Sequence, residues 1–420
     1  MNILEKFEFK NNRAVWLYNI NQEQDWNESK IWPSITDKKQ LELVYQQEQQ
    51  LLLLARPDDA VLFSHSPDPN FLEYLKEQGI KLPRIIYRPV DNKIPWEELG
   101  EGNNVLVPYI ISEFIEKTSK LKGIKVYGSR LALVKMLNNK LCCRKIAEEN
   151  GFNVTEGFFC STISELKIAY QKLQNLGFKK VVLKIPFGSS GKGIKVIENE
   201  RSFITFLKFI SRYSKEFEIL LEGWHDICVS LNTQLLVQDN GVEVIAVTEQ
   251  KIDRNGMYLG TNFSPNFEST LLERYIKEMY RIGDILKELG YKGIVGIDSI
   301  LDTKGNLIPI IEINARMTQV TYLLPMVNRL RGNYSKIFSG FYRFQSSNEL
   351  TFNDIYLKIY DQLKPDNDNT FFIYTFAKHR DQSKNYYRIF VMFYGNNEEK
   401  LSKMYEKARF LENEYKNFDN

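Results

Sequence analysis

The run Val181–Ile197, VVLKIPFGSSGKGIKVI, sets Lys184 in a short apolar run of strand character. A turn of Gly188, Ser189, Ser190, Gly191, Lys192 and Gly193 follows, and a second strand-like run leaves it. Glycine lets backbone come close to a ligand, and successive N–H groups can then point at phosphate oxygens. The turn is not a P-loop, because Gly193 stands where Ser or Thr must follow the lysine. Nor is it a dinucleotide-binding turn, since its exit reads as strand and not helix. What remains is a basic, glycine-rich hairpin closing over a polyphosphate. The competing reading is a surface hairpin with solvated lysines.

A second set of residues is acidic. Ile311–Arg316 reads IEINAR, and on a strand residues two apart face the same side. Glu312 and Asn314 therefore present oxygens to one point. Asp298, in GIVGIDSILD, lies on the preceding strand of the same hairpin. Three oxygen ligands suit a hard cation such as Mg²⁺ (or Mn²⁺), with water and phosphate in its other positions. A solvated hairpin face is the alternative, but acids inside the apolar run IPIIEIN cost about several kcal/mol to bury without a partner. Glu222 ends another apolar run, FEILLE. The backbone of Leu220–Glu222 is placed to meet an adenine edge. Asp226, four residues on, either reaches a ribose or is solvated.

The elements that must position these residues follow from the pattern. Strands at 14–20, 60–64, 84–90 and 105–107 alternate with helical stretches, which argues an α/β layer with parallel strands over residues 1–122. A long helix, 129–150, then carries Lys140 and stops at Gly151. Strand 154–160, helix 162–176, the lysine–glycine hairpin, helix 201–213 and strand 217–222 come next. A hairpin over 227–237 and 242–249 turns at Asn240-Gly241. Helix 268–289, the acidic hairpin 293–314 and helix 318–330 complete a region of 123–331. Beyond it, aromatic strands 371–377 and 386–394 and a charged helix 397–413 read as a small α+β domain, 332–420. Residues 416–420 are expected to be disordered.

At 420 residues the chain can hold two or three domains, and a net charge of +3 gives no reason to expect nucleic acid or a membrane as partner. The N-terminus lacks an apolar signal region and no aliphatic block is long enough for a bilayer, so a cytoplasmic protein is expected. Cys142, Cys143, Cys160 and Cys228 form no CxxC and read as reduced thiols. A nucleophilic cysteine lacks support, because only His65, His225 and His379 are available as bases.

A lysine on a helix, a lysine on a strand, a glycine hairpin, a strand-end glutamate and Asp…Glu-x-Asn-x-Arg occur here in an order that resembles the ATP-grasp family over roughly 125–330. That resemblance implies a fold with ATP between two α+β lobes, preceded by an α/β domain and followed by a small α+β domain. It implies that Lys140 and Lys184 hold phosphates, with Lys135 a rival to Lys140 on the same helix. Gly188, Ser189, Ser190, Gly191, Lys192 and Gly193 become the phosphate lid, and Leu221 and Glu222 the adenine contacts. Asp298, Glu312 and Asn314 become ligands of two Mg²⁺, and Arg316 a neighbour of the transferred phosphate. The family's ribose glutamate has no counterpart among Ile227, Cys228 and Val229, which leaves Asp226 as the nearest acid. Residues 247–265 and the aromatic C-terminal region look like those of amino-acid and peptide ligases, and of ligases that load an amino acid onto an acyl-carrier protein in antibiotic biosynthesis.

The implied activity forms an acyl phosphate from an amino-acid carboxylate, with glutamate a candidate, and transfers it to a carrier-protein thiol or an amine. An amino-acid or dipeptide ligase is the alternative, and a non-catalytic nucleotide-binding protein a third. Lys251 and Arg254 permit an acidic substrate. His379, Arg380, Lys384 and Arg388, beside Tyr386 and Tyr387, are expected to offer a carrier a basic, aromatic docking surface, unless they merely solvate a strand pair.

Overall fold

The computed structural model describes residues 6–7, 12–27, 38–88, 94–99, 103–188, 193–213, 216–253, 256–381 and 384–414. Three sheets organise them. The first has five parallel strands in the order Arg84–Tyr87, Ala60–Phe63, Arg13–Leu17, Asn104–Pro108 and Lys125–Val126. These short runs are apolar on both faces in the central strands, as strands covered on both sides must be. The second is antiparallel, in the order Gly157–Cys160, Ile219–Gly223, Val181–Lys184, Ile194–Ile197. Helices Ile163–Asn175 and Glu200–Tyr213 bury their apolar faces on it.

The third sheet has eight antiparallel strands. Leu307–Asn314, Gly293–Asp302, Ile227–Gln238, Gly241–Ile252 and Tyr258–Asn262 come first, followed by Lys336–Ser346, Lys384–Gly395 and Asn369–Asp381. The aromatic strands after residue 332 thus continue the sheet that carries the acidic hairpin. Tyr258–Asn262 and Lys336–Ser346 lie outside the sequence reading. They pair so closely that a Cβ on Gly260 would lie 2.1 Å from the Ser339 carbonyl oxygen, so only glycine fits. The outer strand of the sheet is Asn369–Asp381, and an unpaired edge invites association. Gln49 exchanges hydrogen bonds with the Phe376 backbone, and Gln46 does so with Lys378, which satisfies that edge. The run QQEQQ is therefore an interior seam, buried despite its polarity.

The expected helix 129–150 is two helices, Leu131–Asn138 and Lys140–Glu149. Asn139 adopts extended backbone between them, and its Oδ1 accepts the Leu141 and Cys142 amides at 2.9 and 3.2 Å. This caps the second helix at its start. The Lys140 amide donates to the Pro186 carbonyl at 2.8 Å instead of continuing the first helix. The break thereby puts Lys140 at a helix N-terminus beside the glycine hairpin. The charged helix near the C-terminus is likewise split, into Glu398–Lys407 and Phe410–Glu414. Residues 416–420 lie outside the described residues. No helix among the described residues is long and apolar enough to cross a membrane.

Candidate active site

Asp298 and Glu312 are directly opposite each other on neighbouring strands, and Asn314 follows two residues after Glu312. All three line one cavity of about 260 Å³. Asp298 has no salt bridge among the described residues. Its Oδ1 accepts from Asn232 at 2.7 Å and Gln250 at 2.8 Å, and its Oδ2 from Asn314 at 3.0 Å. Gln234 holds Asn232 at 2.8 Å and in turn accepts the Thr318 and Thr321 hydroxyls, each at 2.9 Å. Burial, then the Glu312 charge, raises the Asp298 carboxyl above its usual range. Two acids forced together with only amide donors on one of them form a site that favours a cation. The all-oxygen donor set fits a hard divalent metal, which Asp298, Glu312 and Asn314 would hold.

Two lysines approach the same cavity. Lys140 Nζ lies 2.7 Å from Glu312 Oε1 and donates to the Gly188 carbonyl at 2.6 Å. Its rival, Lys135, points elsewhere, pairing with Glu113 at 2.6 Å and lying over Trp26. Lys184 Nζ lies 2.5 Å from Glu222 Oε2, and Arg144 grips the other oxygen at 2.5 Å. Arg144 is one helical turn beyond Lys140, on the same face. Gly188 adopts φ +149°, and a Cβ on Gly193 would crowd the Gly188 Cα at 3.2 Å. Hence the two ends of the hairpin turn approach closely. Ser189, Ser190, Gly191 and Lys192 lie outside the described residues, as does Arg254.

Arg316 lines the same cavity. Its Nε and Nη2 reach Glu23 at 3.1 and 3.3 Å, and its guanidinium lies 5.2 Å from the Tyr109 ring centre. Burial opposes the charge, but Glu23 more than offsets it, so the pKa is raised and Arg316 stays charged. Glu23 belongs to the parallel-sheet part of the chain, so two parts of the molecule complete one site.

Two expected contacts need correction. Leu221 lies on a strand paired on both sides, so its backbone is already hydrogen-bonded and it does not line the cavity. The following segment, Glu222–His225, does line it. The Glu222 side chain is held in the Lys184–Arg144 ion pair. Asp226 is exposed and faces an adjoining groove instead of the cavity. Lys251 also faces that groove, half-buried over the Phe338 and Tyr405 rings at 4.7 and 4.5 Å. The expected C-terminal docking surface is not present as drawn. Tyr386 and Tyr387 are buried, and Arg388 points inward against Phe341 and Phe390. Burial raises the Cys142, Cys143 and Cys160 thiols, which disfavours a thiolate nucleophile.

Residues that sequence reasoning missed include Glu23, Arg144, Asn232, Gln234 and Gln250. A signal existed for some of them. Ser230, Asn232 and Gln234 alternate as polar residues along an apolar strand, so they share a face. Glu23 has no local signal.

Comparison with known proteins bears on this geometry. The ATP-grasp domain family matches residues 137–320. The chain is 41% identical over 401 residues to the [butirosin acyl-carrier protein]–L-glutamate ligase of Niallia circulans, covering 95% of this chain and 94% of that one. Among solved structures, an ADP complex of N5-carboxyaminoimidazole ribonucleotide synthetase is similar with a TM-score of 0.60 and 14% identity, over 95% of this chain and 96% of that chain. Phosphoribosylamine–glycine ligase of Thermotoga maritima is similar with a TM-score of 0.57 and 14% identity, over 94% and 96% of the two chains. These two likenesses concern the fold.

Proposed function

This chain belongs to the ATP-grasp family of ligases, and we propose that it activates the carboxylate of an amino acid, glutamate being the candidate, for transfer to the thiol of an acyl-carrier protein. It is an ATP-dependent ligase, and ligases of this family use ATP with a divalent metal. The proposal adds that the metal is Mg²⁺ and that the reaction serves natural-product biosynthesis. It also reads the chain as three parts: 1–122, the ATP-grasp part 123–331 and 332–420. The observation that carries the reading is the convergence of Asp298, Glu312, Lys140, Lys184 and Arg316 on one cavity in a chain of this family.

The reaction runs in two steps. A carboxylate oxygen of the amino acid attacks the γ-phosphorus of ATP, the bond to the bridging oxygen breaks, and ADP leaves. The carrier thiol, losing its proton, then attacks the acyl carbon, and phosphate leaves as the thioester forms. Phosphoryl transfer of this kind depends on positioning and charge neutralisation. Bound metal would supply Lewis-acid stabilisation of the phosphate charges. Lys140 and Lys184 bring cations to the phosphates, and each is oriented by an acid, Glu312 and Glu222. Glu23 fixes the Arg316 plane, and that fork suits the acyl phosphate. The glycine hairpin from Gly188 to Gly193, with Lys192, closes over the phosphates and excludes water from the mixed anhydride. Leu221 sets the strand register that delivers Glu222.

The test supplies ATP, Mg²⁺ and a panel of amino acids, with holo-carrier proteins in one arm and free amines in the other. ADP and phosphate should be the products, and hydroxylamine should trap a hydroxamate. Intact-protein mass spectrometry should show an aminoacyl gain on the carrier. Formation of AMP overturns the mechanism. Dipeptide with unmodified carriers overturns the thiol acceptor and favours the amine ligase.

A further inference from the structure

The strand Lys384–Gly395 carries a half-buried cation, Arg388, among aromatic side chains. Arg388 lies opposite Arg343 across the antiparallel pair. Like charges directly opposite each other on neighbouring strands repel, and burial adds to the cost. Among the described residues neither guanidinium has a carboxylate partner, and the buried Nε of Arg388 has no hydrogen-bond partner. Its contacts are the rings of Phe341 and Phe390, 4.8 and 5.1 Å from the guanidinium. Burial first, and Arg343 second, lower its pKa to about 10, which leaves it charged at neutral pH. The Tyr18, Tyr374 and Tyr258 hydroxyls lie within its field.

This arginine belongs to the same face of the sheet as the acids. Glu312 is opposite Asp298, Asp298 opposite Asn232, and Asn232 opposite Thr248. Two residues on, Gln250 is opposite Thr261, and Thr261 opposite Ser339. Four residues on from Ser339, Arg343 is opposite Arg388. Side chains two and four apart on a strand share a face. Tyr18 and Tyr258 line the cavity, as does Gln319, which donates to the Tyr374 hydroxyl at 2.8 Å. Arg388 stands behind that wall, and Tyr18 feels both it and Arg316. The cavity thus has a metal-favouring, acidic end, and at its other end a wall of Tyr18, Tyr258 and Gln319 behind which the positive charge of Arg388 stands without a carboxylate partner among the described residues.

We propose that the charge of Arg388, backed by Arg343 and standing behind the Tyr18–Tyr258 wall, makes that end of the cavity select an anion, so that the substrate carries a carboxylate besides the one that is activated. A carboxylate seated against Tyr18 and Tyr258 lies within the field of these two unpaired cations, which turns their mutual repulsion into shared attraction. The assignment rests on the amino-acid ligase reading and names its substrate class, an acidic amino acid. Arg388 and Arg343 are specificity residues and take no part in phosphoryl transfer.

The test measures binding of L-glutamate, glutarate and L-glutamine by calorimetry and thermal shift, in the presence of ADP and Mg²⁺. It uses the full chain and the variants Arg388→Gln, Arg388→Lys and Arg343→Gln, with amino-acid-dependent ADP release measured in parallel. The native chain should bind glutamate and glutarate more tightly than glutamine. Arg388→Gln should weaken the two diacids by on the order of 10–100-fold while changing glutamine little. Arg388→Lys should recover part of the loss, and Arg343→Gln should show a smaller loss of the same preference, which keeps the test open should Arg388→Gln not fold. An unchanged glutamate-to-glutamine ratio in the folded variants overturns the assignment, as does a native chain without any preference for diacids. ADP release that persists in that case leaves the ligase reading standing. Diacid preference that is lost in the variants, in a chain that never releases ADP, upholds the anion end and overturns the ligase reading.

Discussion

Replacing Glu312 with Gln separates the metal reading from a purely structural one. The substitution keeps the shape and one oxygen but removes a charge with two near neighbours. Lys140 Nζ lies 2.7 Å away, and Asp298 stands directly across the strand pair, where side chains start about 5 Å apart. With an effective dielectric constant of about 20, two unit charges interact by about 6 kcal/mol at the Lys140 distance and by about 3 kcal/mol at the Asp298 distance. Loss of the charge forfeits the attraction to Lys140 and relieves the repulsion from Asp298. The two cancel only in part, so folding stability should fall by up to about 3 kcal/mol, which in a chain of this size moves the melting point by about 3 °C. No cancellation protects the metal, because both acids attract a dication and one of two negative ligands is gone. Turnover should therefore fall by about 10³-fold, a loss of about 4 kcal/mol in the transition state. The assays are ADP release against Mg²⁺ concentration and the Mg²⁺-induced shift of the melting point. A variant that turns over within about tenfold of the native rate at saturating Mg²⁺, with an unchanged Mg²⁺ midpoint, refutes the assignment.

Lys184→Ala should weaken ATP binding and cut turnover by about 10²-fold. Lys192→Ala should matter less, because several hairpin N–H groups share its task, and calorimetric titration giving the reverse order would show the roles crossed. Asp298 should impose a pH dependence on the metal-free chain. Its folded pKa lies above the unfolded value, so between about pH 4 and pH 6 the folded state holds the extra proton. The stability this group contributes is present at the acid end and is lost as pH rises through about 6. Thermal melts in EDTA should show this slope in the native chain and not in Asp298→Asn, and Mg²⁺ should stabilise the native chain more at pH 7.5 than at pH 5. Identical profiles for the two proteins would reject it. Glu23→Ala should lower kcat by about tenfold or more by freeing Arg316, with partial recovery in Glu23→Gln. An unchanged kcat would mean that Arg316 needs no orienting partner.

Local geometry explains what the sequence made legible. Asp298, Glu312 and Asn314 could be placed on one hairpin face because alternation fixes the side, although their exact pairing was hidden by a register shift between Asp298 and Ile300. The glycine run gave Lys184 its setting in the same way. The helix break at Asn139 was hidden, because asparagine caps some helices and lies within others. What decides here is a tertiary bond, Lys140 amide to Pro186 carbonyl. Leu221 was misassigned for a related reason. Whether a strand-end backbone is free for an adenine depends on what pairs with it, and Gly157–Cys160 covers it from a distant part of the chain.

The strand YYRIFVMFY shows a harder limit. Alternation tells a buried face from a wet one only when one face is polar, and here both are aromatic. Arg388 therefore read as a surface residue, whereas it is half-buried, with a strand on either side and the Tyr18 hydroxyl within its field. The same property bears on how the site is divided. Lys140, Lys184, Glu222, Asp298, Glu312, Asn314 and Arg316 all come from the central part of the chain, and local hairpins and one capped helix set them. Tyr18, Glu23, Arg343 and Arg388 come from the two flanking parts and meet that set only through long-range packing. In the proposed reading, the central residues serve ATP and the flanking ones choose the acid. Changes at Arg388 or Arg343 can then alter which acid enters while the Asp298–Glu312 pair, set on a separate hairpin of the sheet, stays as it is.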